Sequence, residues 1–155
     1  MSDHDFFTAN AALGELEVLD VEGMRLLYRV ECSGEDFYNA LADRVGDERA
    51  AELLRRNGRE EMGHARRIAH ALSIKLGSEW APSAELAEPL PVAAPPHLDA
   101  DILRMIVQAE RDGDAGYQKW ADAEPDPEVE RILRLNGREE SLHGERIDEV
   151  IALLG

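Results

Sequence analysis

The sequence predicts an all-α fold: a four-helix bundle made of two duplicated helical hairpins joined by a long crossover connection. Three observations predict it. Residues 20–76 recur, imperfectly, at 99–155, with 18 of 57 aligned positions identical. Ala, Leu, Glu and Arg dominate and aromatic residues are only 5%, a composition that favours helix over sheet. Turn residues interrupt each repeat once, at Gly46 and at Pro125, and five prolines separate the two repeats.

The first helix is expected over 21–44. Asp20 stands at its N-cap, and Met24, Leu27, Tyr28, Glu31, Gly34, Glu35, Tyr38 and Ala42 share one face at three-to-four spacing. The second follows Asp47 and runs to residue 76, where Gly77 suits a left-handed stop. The third spans 99–122. The fourth opens on Asp126-Pro127, a cap followed by proline at the first helical position, and runs nearly to the end.

Asn57-Gly58 and Asn136-Gly137 interrupt this pattern, because Asn-Gly is ordinarily a turn signal. Each pair sits one turn before a Glu-x-x-His, so the helix is read as continuous, at a cost of about 1 kcal/mol per glycine. A small residue there would make room for a close helix contact; a local bulge is the alternative.

Residues 77–98 hold Pro82, Pro89, Pro91, Pro95 and Pro96 and no helical period. At about 3 Å per residue they reach over 60 Å. A connection between parallel second and third helices must cover roughly 40 Å at 1.5 Å rise per helical residue. An antiparallel neighbour would need only a few residues, so the length favours a crossover. One domain, 1–155, is expected: hairpin one 20–76, linker 77–98, hairpin two 99–155, and an N-terminal extension 1–19.

The net charge of −16 makes nucleic acid and anionic membrane poor partners. Cys32 is the one cysteine, which excludes an internal disulfide and any four-cysteine iron or zinc centre. Residues 1–13 carry neither the basic nor the apolar region of a signal peptide, and no apolar run reaches membrane-helix length. A cytoplasmic protein is the expectation.

The repeat carries its chemistry in register. An offset of 79 pairs Glu31 with Glu110, Glu61 with Glu140, His64 with His143 and Tyr38 with Tyr117. Gly46 lies midway between Glu31 and Glu61, and Pro125 midway between Glu110 and Glu140. Each lone Glu therefore meets its Glu-x-x-His at one level of its hairpin. The spacing of three puts Glu61 and His64, and Glu140 and His143, on one helix face. Four carboxylates and two imidazoles, two-fold related, form the ligand set of a dinuclear centre inside a helix bundle. Hard oxygens with two imidazoles suit iron or manganese. Glu61 and Glu140 are expected to bridge, with Glu31, His64, Glu110 and His143 terminal. Two divalent ions would balance four carboxylates that otherwise raise one another's pKa.

Around this set, Tyr38 and Tyr117 lie two turns beyond the lone glutamates, placed to hydrogen-bond a ligand, to act as redox groups or to serve as core aromatics. Glu35 and Asp114 face inward and could orient a histidine N–H or pass metal ions inward. Glu60 and Glu139, rotated about 100° from the ligands, are expected behind them or paired with arginine. Cys32 is read as buried and inert, and His4, His70 and His97 as surface histidines.

This constellation resembles the rubrerythrin and ferritin-like family of diiron-carboxylate proteins, over residues 20–155. The Arg59-to-His64 and Arg138-to-His143 runs, with 30 residues between glutamates, are also similar to encapsulated ferritins, which build the site from one hairpin per chain. The resemblance implies two irons, without haem, reacting with H2O2 or O2 in a rubrerythrin-like oxidase or peroxidase of oxidative defence. A ferroxidase serving iron storage is the first alternative. An organic-substrate oxygenase, which would need an apolar pocket beside the metals, and a non-catalytic metal-binding bundle follow. Fe(II), O2 and H2O2 are the implied small molecules, with a separate electron-donor protein and a homo-oligomer, dimer or larger. Two departures bear on this. Gly113 stands where rubrerythrins often place an extra carboxylate, so the site is symmetric. The four-cysteine rubredoxin centre is lacking, so electrons are expected from another protein or from Fe(II).

Overall fold

Aspartates set where the long helices begin. The computed structural model describes residues 5–155, and among them lie α1 (Phe6–Gly14), α2 (Val21–Arg44), α3 (Glu48–Leu76), α4 (Ala84–Ala87), α5 (Ala100–Ala123) and α6 (Pro127–Leu154). The carboxylates of Asp20, Asp47 and Asp99 accept from the backbone N–H three residues on, at 2.7–2.8 Å. Asp126 accepts from Glu128 and Val129, with Pro127 opening α6. Each satisfies donors that a helix start leaves unpaired. Gly77 ends α3 in the left-handed region at φ 70°, and Gly46, at φ 76°, makes the tight turn from α2 into α3.

The four expected helices are α2, α3, α5 and α6. Asp99 caps α5 rather than belonging to it. Two further helices were not expected. The extension before α2 holds α1, whose Asp5–Thr8 capping box starts it and whose Ala9 and Leu13 are buried. Nine residues give too few turns for a readable period; docking on α2 makes this helix. The linker holds the single turn α4, capped by Ser83.

Topology follows from contacts. Asn57 lies against His143 and Asn136 against His64, so α3 and α6 are antiparallel. α6 is also antiparallel to α5, its partner across a three-residue turn. α3 and α5 therefore run parallel, and the linker must travel the length of the bundle. It is pinned as it goes. Trp80 N–H donates to Ser73, Arg29 Nε to the Glu88 carbonyl and Leu90 N–H to Ser33 Oγ. Phe6 N–H donates to the Pro91 carbonyl.

Gly58 and Gly137 sit inside unbroken helices. A Cβ on Gly58 would lie 3.2 Å from Tyr38 Cβ, and one on Gly137 would lie 2.7 Å from Gln118 Nε2 and 2.9 Å from Tyr117 Cβ. The glycines let the hairpin helices close on each other at the tyrosines. Two apolar clusters fill the bundle. One holds Leu13, Met24, Leu27, Ile68, Leu72, Trp120 and Leu133; the other holds Phe37, Leu41, Leu54, Leu103, Ile147 and Val150. Burial of about 1.5–3 kcal/mol per large side chain offsets the cost of a polar layer between them. No helix among the described residues is long and apolar enough to cross a membrane.

Candidate metal centre

The polar layer consists of the six residues singled out by the repeat. Glu31, Glu61, His64 and Glu140 can each offer one ligand atom, all within 4.8 Å of one another; Glu61, Glu110, Glu140 and His143 do the same. Glu61 and Glu140 belong to both groups. Two ions could therefore sit side by side with these two carboxylates between them, Glu31 and His64 completing one and Glu110 and His143 the other. Every one of these residues except Glu110 is below 9% exposed, and both histidines are at 0%.

Both imidazoles turn Nδ1 inward. His64 Nδ1 is 3.2 Å from Glu31, 3.3 Å from Glu61 and 3.4 Å from Glu140. His143 Nδ1 is 3.3 Å from Glu61 and 3.4 Å from Glu110 and Glu140. The rings stack with centroids 5.3 Å apart.

The opposite ring nitrogens point to Glu139 and Glu60. His64 Nε2 is 3.1 Å from Glu139 Oε1, and His143 Nε2 is 3.3 Å from Glu60 Oε1. An ionised carboxylate only accepts, so each Nε2 donates; with a cation bound the neutral ring offers it the Nδ1 lone pair, and without one the carboxylates facing Nδ1 favour a proton there. Arg67 Nη1 donates to Glu139 at 2.7 Å and Arg146 Nη1 to Glu60 at 2.8 Å. Hydrogen bonds from His64 and then Arg67 hold Glu139 down at about 2, and those from His143 and Arg146 push Glu60 below the usual carboxylate range. The same arginines reach Asn136 and Asn57, whose amides donate to the carbonyls of His64 and His143. Backbone and ring of each histidine are thus held from the other hairpin.

The tyrosines also cross over. Tyr38 Oη donates to Glu110 Oε1 at 2.7 Å and Tyr117 Oη to Glu31 Oε1 at 2.9 Å. Burial, then the charge of the facing glutamate, pushes both phenols up, so they remain protonated donors. Glu35 and Asp114 contact neither histidine: Asp114 accepts from Ser141 and Gln118, and Glu35 backbone lies beneath Gly58. The expectation that these two orient a histidine is corrected; Glu60 and Glu139 do so, because they face the other hairpin across α3 and α6. The arginines and asparagines behind the histidines were missed. Their signal was present, since all four are identical between the repeats.

Burial and then repulsion from the bridging pair push Glu31 and Glu110 up. Glu61 and Glu140 go down despite burial, because Glu31 and Glu110 donate to them and both imidazoles stand beside them. The surrounding carboxylates outweigh burial and push both histidines up. Four carboxylates this close cannot all be ionised without cations between them. Two buried atoms at the centre, Glu110 Oε2 and His143 Nδ1, have no hydrogen-bond partner. They lie 3.4 Å apart on the Glu110–His143 side, an orphaned pair of polar atoms that a cation would satisfy, and the two ligand groups, each gathered within 4.8 Å, fit a pair of divalent ions.

Elsewhere, Cys32 is half-buried rather than buried, and burial pushes its thiol up, which keeps it unreactive. His70 and His97 are exposed, as expected; His4 lies outside the described residues. In comparisons with known proteins, the rubrerythrin family profile matches residues 25–151. No curated protein and no solved structure matches the chain.

Proposed function

The chain belongs to the rubrerythrin family, and on that premise we propose that it is a dinuclear iron oxidoreductase, an oxidase or peroxidase that reacts with H2O2 or O2. The observation that carries this reading is the pair of four-residue clusters sharing Glu61 and Glu140, with two unpartnered atoms, Glu110 Oε2 and His143 Nδ1, in the second of them. Glu31 and His64 would hold one ion and Glu110 and His143 the other. When bound, two irons supply electrons and Lewis acidity for reduction of an O–O bond.

The protein's own groups keep that centre in shape. Glu139 and Glu60, each held by an arginine, fix the imidazole tautomer and aim both Nδ1 atoms inward. Tyr38 and Tyr117 hold protons at Oη against the terminal carboxylates and stabilise their charge. The apolar clusters above and below cover the two ends of the layer. A separate protein reductant is proposed as the electron source, and a homo-oligomer in the cytoplasm as the working form.

The test is metal stoichiometry by elemental analysis after anaerobic Fe(II) loading and desalting. About two irons per chain are expected, and none in Glu61→Gln/Glu140→Gln. Stopped-flow oxidation of the loaded protein then compares H2O2 with O2. Faster reaction with H2O2 than with O2 assigns the peroxidase role, and the reverse the oxidase role. Many Fe(II) turnovers ending in a ferric mineral would replace the peroxidase reading with a ferroxidase one. No retained iron would overturn both.

A further inference from the structure

The two repeats match at the centre but differ on the face between α2 and α5. At the 79-residue offset, Gly116 replaces Phe37, Ala109 replaces Val30 and Lys119 replaces Ala40. A cavity of about 590 Å³ lies there, bounded by α1, α2 and α5. Its walls are mainly apolar, with Leu27, Phe37, Ile106 and Trp120 among them, and its floor is the four glutamates of the centre. The space on the α5 side exists because Ala109, Gly113 and Gly116 line it; a Cβ on Gly116 would meet nothing within 4 Å. The volume is that of a small-molecule site rather than a packing defect.

The charged lining groups, apart from those glutamates, are Asp112 and Lys119. Asp112 accepts from Gln108. Lys119 has no acidic partner among the described residues, although the chain carries 33 acids against 17 bases. An unpaired ammonium beside an apolar cavity favours one anionic group on an apolar body. Lys119 stands nine residues from Glu110, about 13 Å along α5, a span that a chain of roughly ten carbons crosses. We infer that this cavity binds an apolar monocarboxylate, its acid group at Lys119 Nζ and its chain lying along Gly116 and Gly113 over the carboxylates of the centre.

This deepens the oxidoreductase reading by giving the centre an organic ligand class, and in that respect rests on it; binding itself does not need metal. Trp120 lines the cavity, so its fluorescence reports occupancy. The full chain, iron-loaded anaerobically and separately chelated, is titrated with decanoate and with decan-1-ol. Saturable quenching by decanoate is expected in both forms. Lys119→Met is expected to weaken decanoate at least tenfold and leave decanol unchanged. Gly116→Phe, which copies the first repeat, is expected to abolish both while far-UV dichroism and iron stoichiometry stay as in the wild type. Equal wild-type affinity for the two probes, or binding that survives Gly116→Phe, overturns the inference. A dimer that seats a second copy on this face would appear as a species split by Met105→Glu with no decanoate response, and overturns it too. Loss of iron binding with decanoate binding intact would sink the metal reading and leave the cavity assignment standing.

Discussion

Removing the carboxylate behind His64 tests whether the two hairpins hold each other's ligands. Glu139 Oε1 lies 3.1 Å from His64 Nε2 and 2.7 Å from Arg67 Nη1. In Glu139→Ala the His64 N–H, at 0% exposure, loses its acceptor. Leaving such a group unpaired costs about 1–3 kcal/mol. Part of that is recovered if the ring turns, and turning takes Nδ1 away from the cluster. Either way Fe(II) affinity at the Glu31–His64 half falls, by about 10–100-fold for a lost partner behind a ligating histidine. Glu139→Gln keeps an acceptor oxygen, so it should restore most of the affinity. Glu60→Ala should do the same to the His143 half. Anaerobic calorimetric titration with Fe(II) against a competing chelator reads this as one tight and one weakened site. Wild-type affinity for both ions in Glu139→Ala, or a glutamine variant as weak as the alanine, would refute the argument.

The glycines at the helix contacts make opposite predictions from those in open space. Gly137→Ala forces its Cβ to within 2.9 Å of Tyr117 Cβ and should destabilise by about 1–3 kcal/mol, whereas Gly116→Ala gains up to about 1 kcal/mol of helix propensity; urea melts that rank them the other way would undo the close-contact account. Tyr38→Phe strips Glu110 Oε1 of its donor and should cost about 1–3 kcal/mol in the metal-free protein, with Tyr117→Phe similar; thermal melts unchanged within error would show that these bonds do not hold. Fe(II) at 100 times its Kd should raise stability by about 2.7 kcal/mol, read as a higher anaerobic Tm that Glu61→Gln/Glu140→Gln abolishes. An equal rise in that variant would place the stabilising iron elsewhere.

The sequence by itself determined the all-α class, the four long helices, the caps at Asp20 and Asp126 and the six residues of the polar layer. Those features are periodic and local. A cap acts within three residues, a helix face repeats at three to four, and a second copy at a constant offset marks what a two-fold site needs twice. Tertiary structure alone decided three things. It decided that α1 forms, because nine residues become a helix only when Ala9 and Leu13 have α2 to bury against. It decided which side chains stand behind the histidines. Glu60 and Glu139 reach rings on the opposite hairpin, across 83 and 75 residues of chain, while Glu35 and Asp114, on the same helix face as Glu31 and Glu110, do not. It decided that the face between α2 and α5 is open, because a cavity belongs to the spacing between helices and no single helix encodes that distance.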